Sequence, residues 1–289
     1  MDEALRAFLQ RAGALLDRAQ ALLPAAAEPP DWQRDIAARW RRLGQRGWLE
    51  PVRHPRRLGL ADLRCIDRQK ADIVRNTRQF LAGLPANNVL LWGARGTGKS
   101  SLIRALLNDL APAGLRLIEV ERQDLIDLPD IVESLYARPE RFLLYTDDLS
   151  FEANDPSYKA LKAMLDGSIA AAPDNVLLYA TSNRRHLLPE FMAENREARI
   201  VDAELHHGEA VEEKISLSER FGLWLSFYPF SQDEYLAIVA HWLKALGQHQ
   251  KPGEDVRKAA LQWALLRGSR SGRVAWQFAQ DWVGRQGVG

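Results

Sequence analysis

The sequence predicts an α/β fold: a parallel sheet flanked by helices carries a phosphate-binding loop, and a small helical domain follows it. Three observations point there. Gly93-Ala94-Arg95-Gly96-Thr97-Gly98-Lys99-Ser100 lies between the apolar, strand-length Val89-Leu90-Leu91-Trp92 and a stretch from Ser101 to Leu110 with apolar residues at helical spacing. Further short apolar runs alternate with helical stretches downstream, as in a doubly wound sheet buried on both faces. After Pro229 the strand-like runs stop, and 233–246, 254–267 and 272–286 read as helices.

In chain order, residues 3–23 place Leu5, Phe8, Leu9, Ala12, Leu15, Leu16, Ala19, Leu22 and Leu23 on one helical stripe. Pro24 to Pro30 then reads as a stiff linker. Between Arg34 and Arg57 eight arginines face two acids, Asp35 and Glu50, with Trp32, Trp40 and Trp48 interleaved. That mix can hold a phosphate backbone and stack on bases. The reading preferred here is tryptophans in a core and arginines on a solvated or docking face. Asp67–Leu81 reads as helix. Strands are expected at Val89–Trp92, Leu115–Glu121, Phe142–Thr146, Val176–Ser182 and Leu223–Phe227. Helices are expected between them at 101–110, 129–137, 156–171 and part of 209–221. The expected division is a helical N-terminal region with a Pro-rich linker (1–59), an α/β nucleotide-binding domain (60–228) and an α-helical lid (229–289).

Composition narrows the class. A net charge of +1 gives no global electrostatic drive toward nucleic acid or membrane, and a single cysteine, Cys65, excludes an internal disulfide framework. A lone cysteine suits a reducing compartment, so a cytoplasmic location is expected. No apolar run of about 18 residues suggests a membrane span, and the acidic, amphipathic start does not read as a secretory signal.

The chemistry concentrates at three places. In the glycine-rich loop, from Gly93 through Ser101, backbone N–H groups can wrap a triphosphate and a helix N-terminus adds its positive dipole end. Lys99 is expected to reach the β- and γ-phosphates and Ser100 to ligate Mg²⁺. Arg141-Phe142-Leu143-Leu144-Tyr145-Thr146-Asp147-Asp148 is an apolar strand ending in two acids. There Asp147 can hold Mg²⁺ and Asp148 can polarise an attacking water. Leu177-Leu178-Tyr179-Ala180-Thr181-Ser182-Asn183 ends in an amide that can bond both that water and the γ-phosphate. His206 and His207 cannot share one face of a helix or strand and read as surface residues rather than metal ligands. From its length alone, 184–222 is expected to hold a hairpin that contacts a substrate or a second copy.

Phosphate loop, acidic strand end, strand-ending Asn, an arginine before the last strand and a helical lid resemble, in that order, the AAA+ ATPases over roughly residues 60–286. Thr146-Asp147-Asp148-Leu149-Ser150-Phe151-Glu152 and Glu212-Glu213-Lys214-Ile215-Ser216-Leu217-Ser218-Glu219-Arg220-Phe221-Gly222-Leu223 more closely resemble a bacterial AAA+ family of unknown function. The resemblance implies ATP and Mg²⁺ as ligands. It makes Gly93, Gly98, Lys99 and Ser100 the Walker A loop, Asp147 and Asp148 the Walker B acids and Asn183 sensor 1. Arg220 becomes an arginine finger acting in trans on a second copy, with an internal salt bridge to an acid such as Glu213 as the alternative. Arg273 becomes the sensor 2 arginine, with Arg270 as its rival. One departure stands out: most AAA+ enzymes end Walker B in Asp-Glu, and this chain has Asp147-Asp148. The carboxylate is one methylene shorter, about 1.5 Å, and a misplacement of that order can cost about 100-fold in rate.

Two functions compete. One is an oligomeric remodelling ATPase, a ring or filament, acting on an unknown macromolecule, protein or nucleic acid. The other is a slow ATP-dependent switch or loader that docks on such a partner. A small-molecule kinase fits less well, because no pair of lid arginines serving such a kinase is evident. Neither a DNA-reading helix nor a protein-threading pore loop is recognisable; Phe151 and Tyr158 are the aromatics nearest to where such a loop would lie.

Overall fold

The computed structural model describes residues 11–12, 28–44, 46–151, 155–166, 173–183, 217–248 and 252–288. The expected helix over 3–23, most of the linker, His206 and His207, and most of 184–222 therefore lie outside the described residues.

Seven strands among the described residues form one sheet: β1 (Ala37–Leu43), β2 (Arg46–Pro51), β3 (Val89–Gly93), β4 (Leu115–Glu119), β5 (Arg141–Thr146), β6 (Val176–Ser182) and β7 (Leu223–Phe227), in the spatial order β2-β1-β4-β5-β6-β3-β7. All neighbours pair in parallel except β1 and β2. The five expected strands appear nearly residue for residue. Their continuous apolar character follows from burial on both faces. Along β5, Leu143 and Tyr145 enter one core and Phe142 and Leu144 the other; along β6, Leu177 and Tyr179 oppose Leu178 and Ala180 in the same way. The helices are α1 (Asp67–Leu81), α2 (Lys99–Leu110), α3 (Leu128–Glu133), α4 (Pro156–Asp166), α5 (Gln232–Ala245), α6 (Glu254–Leu266) and α7 (Gly272–Val288). The last three form the helical unit expected after Pro229. Its core residues Tyr235, Ile238, Val239, Ala264 and Phe278 join the same apolar cluster as α1 and α2.

The expectation of a helical region over 1–59 is corrected by β1 and β2. Residues 37–51 form an antiparallel hairpin, and β1 continues the parallel sheet along β4, with Ala37 opposite Leu117 and Arg39 opposite Glu119. The alternation was present in the sequence: Ala38 and Trp40 point into one core while Arg39 and Arg41 point the other way. Leu43 pairs with Arg46, so the connection is two residues long, opened by Gly44 at φ 63°, a glycine-bearing hairpin turn.

The preferred reading of the tryptophans and arginines matches what the hairpin does. Trp32 and Trp40 are buried, Trp32 stacks edge-on against Phe142, and the Trp40 indole N–H donates to Asp127 at 3.0 Å. Arg39 pairs with Glu119, Arg41 with Glu50 and Glu121, and Arg42 with Asp127. Phe151 and Tyr158, the aromatics weighed for a pore, are buried against each other with ring centroids 5.7 Å apart.

Candidate functional site

Strand register builds the site. Thr146 lies opposite Ala180, which brings the two acids after β5 beside Thr181; Trp92 lies opposite Ser182, which brings the loop after β3 beside Asn183. Three strand ends on the central part of the sheet thus deliver their polar residues to one edge, where ligands of open α/β sheets sit.

The loop needs its glycines. Gly93, at φ +127°, lies so close to β7 that a Cβ would meet the Phe227 carbonyl oxygen at 2.0 Å. Gly96, at φ +75°, faces the helical unit: a Cβ would lie 2.8 Å from Ser271 Cβ and Oγ, and its carbonyl accepts the Gly272 N–H at 2.9 Å. The start of α7 therefore rests directly on the phosphate loop.

Lys99 opens α2 and is buried. Its ammonium donates to the Gly93 and Ala94 carbonyls at 2.7 and 2.8 Å and to Asn183 Oδ1 at 3.1 Å. Burial pushes its pKa down, and the carboxylates of Asp148 and Asp147 pull it back part of the way. Ser100 Oγ donates to Asp147 Oδ1 at 2.7 Å, and Thr181 Oγ1 donates to the same oxygen at 2.5 Å. Desolvation raises the Asp147 pKa, but the hydroxyls of Ser100, Thr181 and Tyr145 and the charge of Arg104 together outweigh it and hold the carboxyl below its ordinary range. Asp147 is thus ionised at neutral pH beside a hydroxyl. That donor set fits Mg²⁺, which takes few protein ligands and keeps waters or phosphate oxygens for the rest. Asn183 Nδ2 donates to Asp148 Oδ1, so Lys99, Asn183 and Asp148 form one chain.

These groups open on a cavity of about 920 Å³. The loop from Arg95 to Ser101 lines it, with Asp147, Asp148, Asn183 and, from the helical unit, Arg273. Gly93 and Ala94 meet the site through their carbonyls on Lys99. Arg270, the rival of Arg273, is exposed and does not line the cavity. Neither does Arg220: it is ion-paired with Asp166 at the end of α4. Glu213, its alternative partner, lies outside the described residues.

Sequence reasoning missed the apolar lining. Leu63, Ile66, Phe230, Ile238, Trp242 and Trp276 also line the cavity, with Trp242 and Trp276 edge to face at 4.7 Å. They come from three separate segments and read individually as ordinary helix-face or loop residues. Arg56 and Arg57, the last two arginines of the basic segment, also line the cavity, as does Arg64, which was not singled out.

A family model described as protein of unknown function (DUF815) matches residues 33–286. The chain belongs to that family. Its fold is that of the AAA+ ATPases. RuvB of Thermotoga maritima, a Holliday junction branch migration motor, is 16% identical, with a TM-score of 0.50 over 78% of this chain and 64% of RuvB. Orc1 of Aeropyrum pernix, solved in complex with DNA, is 16% identical, with a TM-score of 0.51 over 74% of this chain and 58% of Orc1. The DUF815 chain thus spans less than two thirds of each neighbour, at identities that speak for shared fold alone. No curated relative matches it in sequence.

Proposed function

We propose that this DUF815 protein is an ATPase that binds ATP with Mg²⁺ in the cavity between the sheet edge and the helical unit. The observation that carries this reading is convergence: Lys99, Ser100, Asp147, Asp148, Asn183 and Arg273 come from four places in the chain and meet in one cavity that also has an apolar lining. A triphosphate matches the wrapped loop and the buried Lys99, and a base matches the wall around Trp242 and Trp276. Ser100 and Asp147 would hold Mg²⁺, which when bound neutralises charge developing on the transferred phosphoryl group. Asp148 orients and polarises the attacking water, and Asn183 fixes the Asp148 carboxylate. Arg273 reaches from the helical unit, so a triphosphate in the loop would couple to the position of α7.

The active form is an oligomer, a ring or filament. Arg220 lies away from the cavity of its own chain and, held by Asp166, would act as a finger on the next copy's γ-phosphate. Such fingers contribute about 10³–10⁵ in turnover. Through that assembly the protein would remodel a macromolecule, protein or nucleic acid. No helix among the described residues is long and apolar enough to cross a membrane, and a cytoplasmic location is part of this proposal.

The second reading, a slow switch or loader, is favoured by one observation: the residue after Asp147 is Asp148, shorter than the glutamate most AAA+ enzymes carry there. Turnover separates the two, since a motor cycles about once per second or faster. Steady-state ATP turnover against protein concentration, with Arg220→Ala alongside, tests the assembly. Activity per chain that climbs with concentration, and stays low in a variant that still binds ATP, supports completion in trans. Equal activity at all concentrations in both proteins rejects it.

A further inference from the structure

Asp148 is one of two non-glycine residues with positive φ among the described residues, at 53°. A left-handed aspartate directly after a strand is held there by something, since side chains with a Cβ disfavour that region. The holder is Thr181 on β6. Its hydroxyl donates to Asp147 Oδ1 at 2.5 Å and accepts the Asp148 backbone N–H at 2.9 Å, and its carbonyl accepts the Leu149 N–H at 2.7 Å. One residue therefore grips three consecutive positions after β5. Thr181 is only 1% exposed, so water cannot readily replace its hydroxyl.

A hydroxyl has one proton and two lone pairs. With the proton spent on the Asp147 carboxylate, a lone pair is left to face the Asp148 N–H. That bond fixes the left-handed turn, and the turn swings the short Asp148 side chain to the Asn183 amide. A glutamate at 148 would carry its carboxylate about 1.5 Å further, one C–C bond, past the place where Asn183 meets it.

We infer that Thr181 is the positioning residue for Asp148, and that the turn it holds makes an aspartate, rather than a glutamate, the side chain of fitting length at this site. The inference deepens the ATPase reading and rests on it. Thr181 makes no bond to Lys99 and only its bond to Asp147 reaches the Mg²⁺ position, where Ser100 still donates, so its removal is expected to act more on the chemical step than on nucleotide capture.

The test compares wild type, Thr181→Val, Thr181→Ser and Asp148→Glu in the full chain, with MgATP affinity, kcat, KM and melting temperature measured for each. Thr181→Val, isosteric but without the hydroxyl, is expected to bind ATP within about threefold of wild type while kcat falls about 10–100-fold, the scale of an ångström-sized misplacement. Thr181→Ser is expected to return kcat to within about threefold, since it restores both hydrogen bonds. Asp148→Glu, in which the hydroxyl is intact, is expected to be slower than wild type by about tenfold. Wild-type kcat in Thr181→Val, an equal loss in KM and kcat without rescue by serine, or an Asp148→Glu enzyme faster than wild type each overturns the inference. Should Thr181→Val fail to fold, the exposed Asp148→Glu substitution decides on its own. A wild-type protein that binds ATP and never hydrolyses it at any concentration overturns the ATPase reading instead, and the inference falls with it.

Discussion

Three arginines of the hairpin and three that follow it look alike in sequence and meet opposite surroundings. Arg39, Arg41 and Arg42 pair with acids on β2, β4 and the loop leading to α3. Arg56, Arg57 and Arg64 line the nucleotide-sized cavity and form no ion pair with another described residue. The difference is one of partners rather than number. Neighbouring strands hold acids at cross-strand distance from Arg39 and Arg41, so those guanidiniums are satisfied within the sheet. Past Pro51 the chain leaves the sheet and no cross-strand acid is in register: Arg53 still finds Glu28, whereas Arg56, Arg57 and Arg64 face the cavity.

The largest effect that would sharpen this contrast belongs to the hairpin. Trp40→Ala removes a buried indole and its bond to Asp127; it is expected to destabilise the fold by about 3–5 kcal/mol. Chemical denaturation checks this, and a loss below about 1 kcal/mol would mean the hairpin is an appendage rather than part of the sheet. Next comes the cavity. Lys99→Ala is expected to weaken MgATP binding by about 100-fold or more, the loss of charge-assisted bonds worth about 3 kcal/mol. Isothermal titration reads it, and wild-type affinity in that variant would sink the site assignment.

The smallest effects set the two arginine groups side by side. Changing Arg56 and Arg57 together to alanine is expected to lower MgATP affinity by about three- to tenfold at low salt, with the difference shrinking as ionic strength rises. Arg39→Ala is expected to leave ATP affinity unchanged and cost less than about 1 kcal/mol of stability, as partly exposed ion pairs do. If Arg39→Ala weakened ATP binding as much as the double change, the contrast drawn here would be broken.

Most of the sheet was legible because burial on both faces leaves short apolar runs between helical stretches, a pattern few other folds write. The phosphate loop, Asp147, Asp148 and Asn183 were legible because each ends such a run. The hairpin was not, because three arginines on seven residues mask a strand whose charges are neutralised across the hairpin by Glu50 and, far along the chain, by Glu119, Glu121 and Asp127. The wall of Leu63, Ile66, Trp242 and Trp276 was silent for the same reason: an apolar residue facing a cavity and one facing a core are written identically.

By itself, then, the sequence determined the α/β core, the helical unit after Pro229 and the order of polar residues along the strand ends, since periodicity and glycine placement are local properties. Tertiary structure alone decided that α7 rests on Gly96, that Arg220 lies outside its own cavity on Asp166, and that Thr181 holds Asp148 left-handed. Each of these is a contact between segments tens of residues or more apart. No local pattern encodes such contacts; they exist only once the register of the sheet has brought the strand ends together.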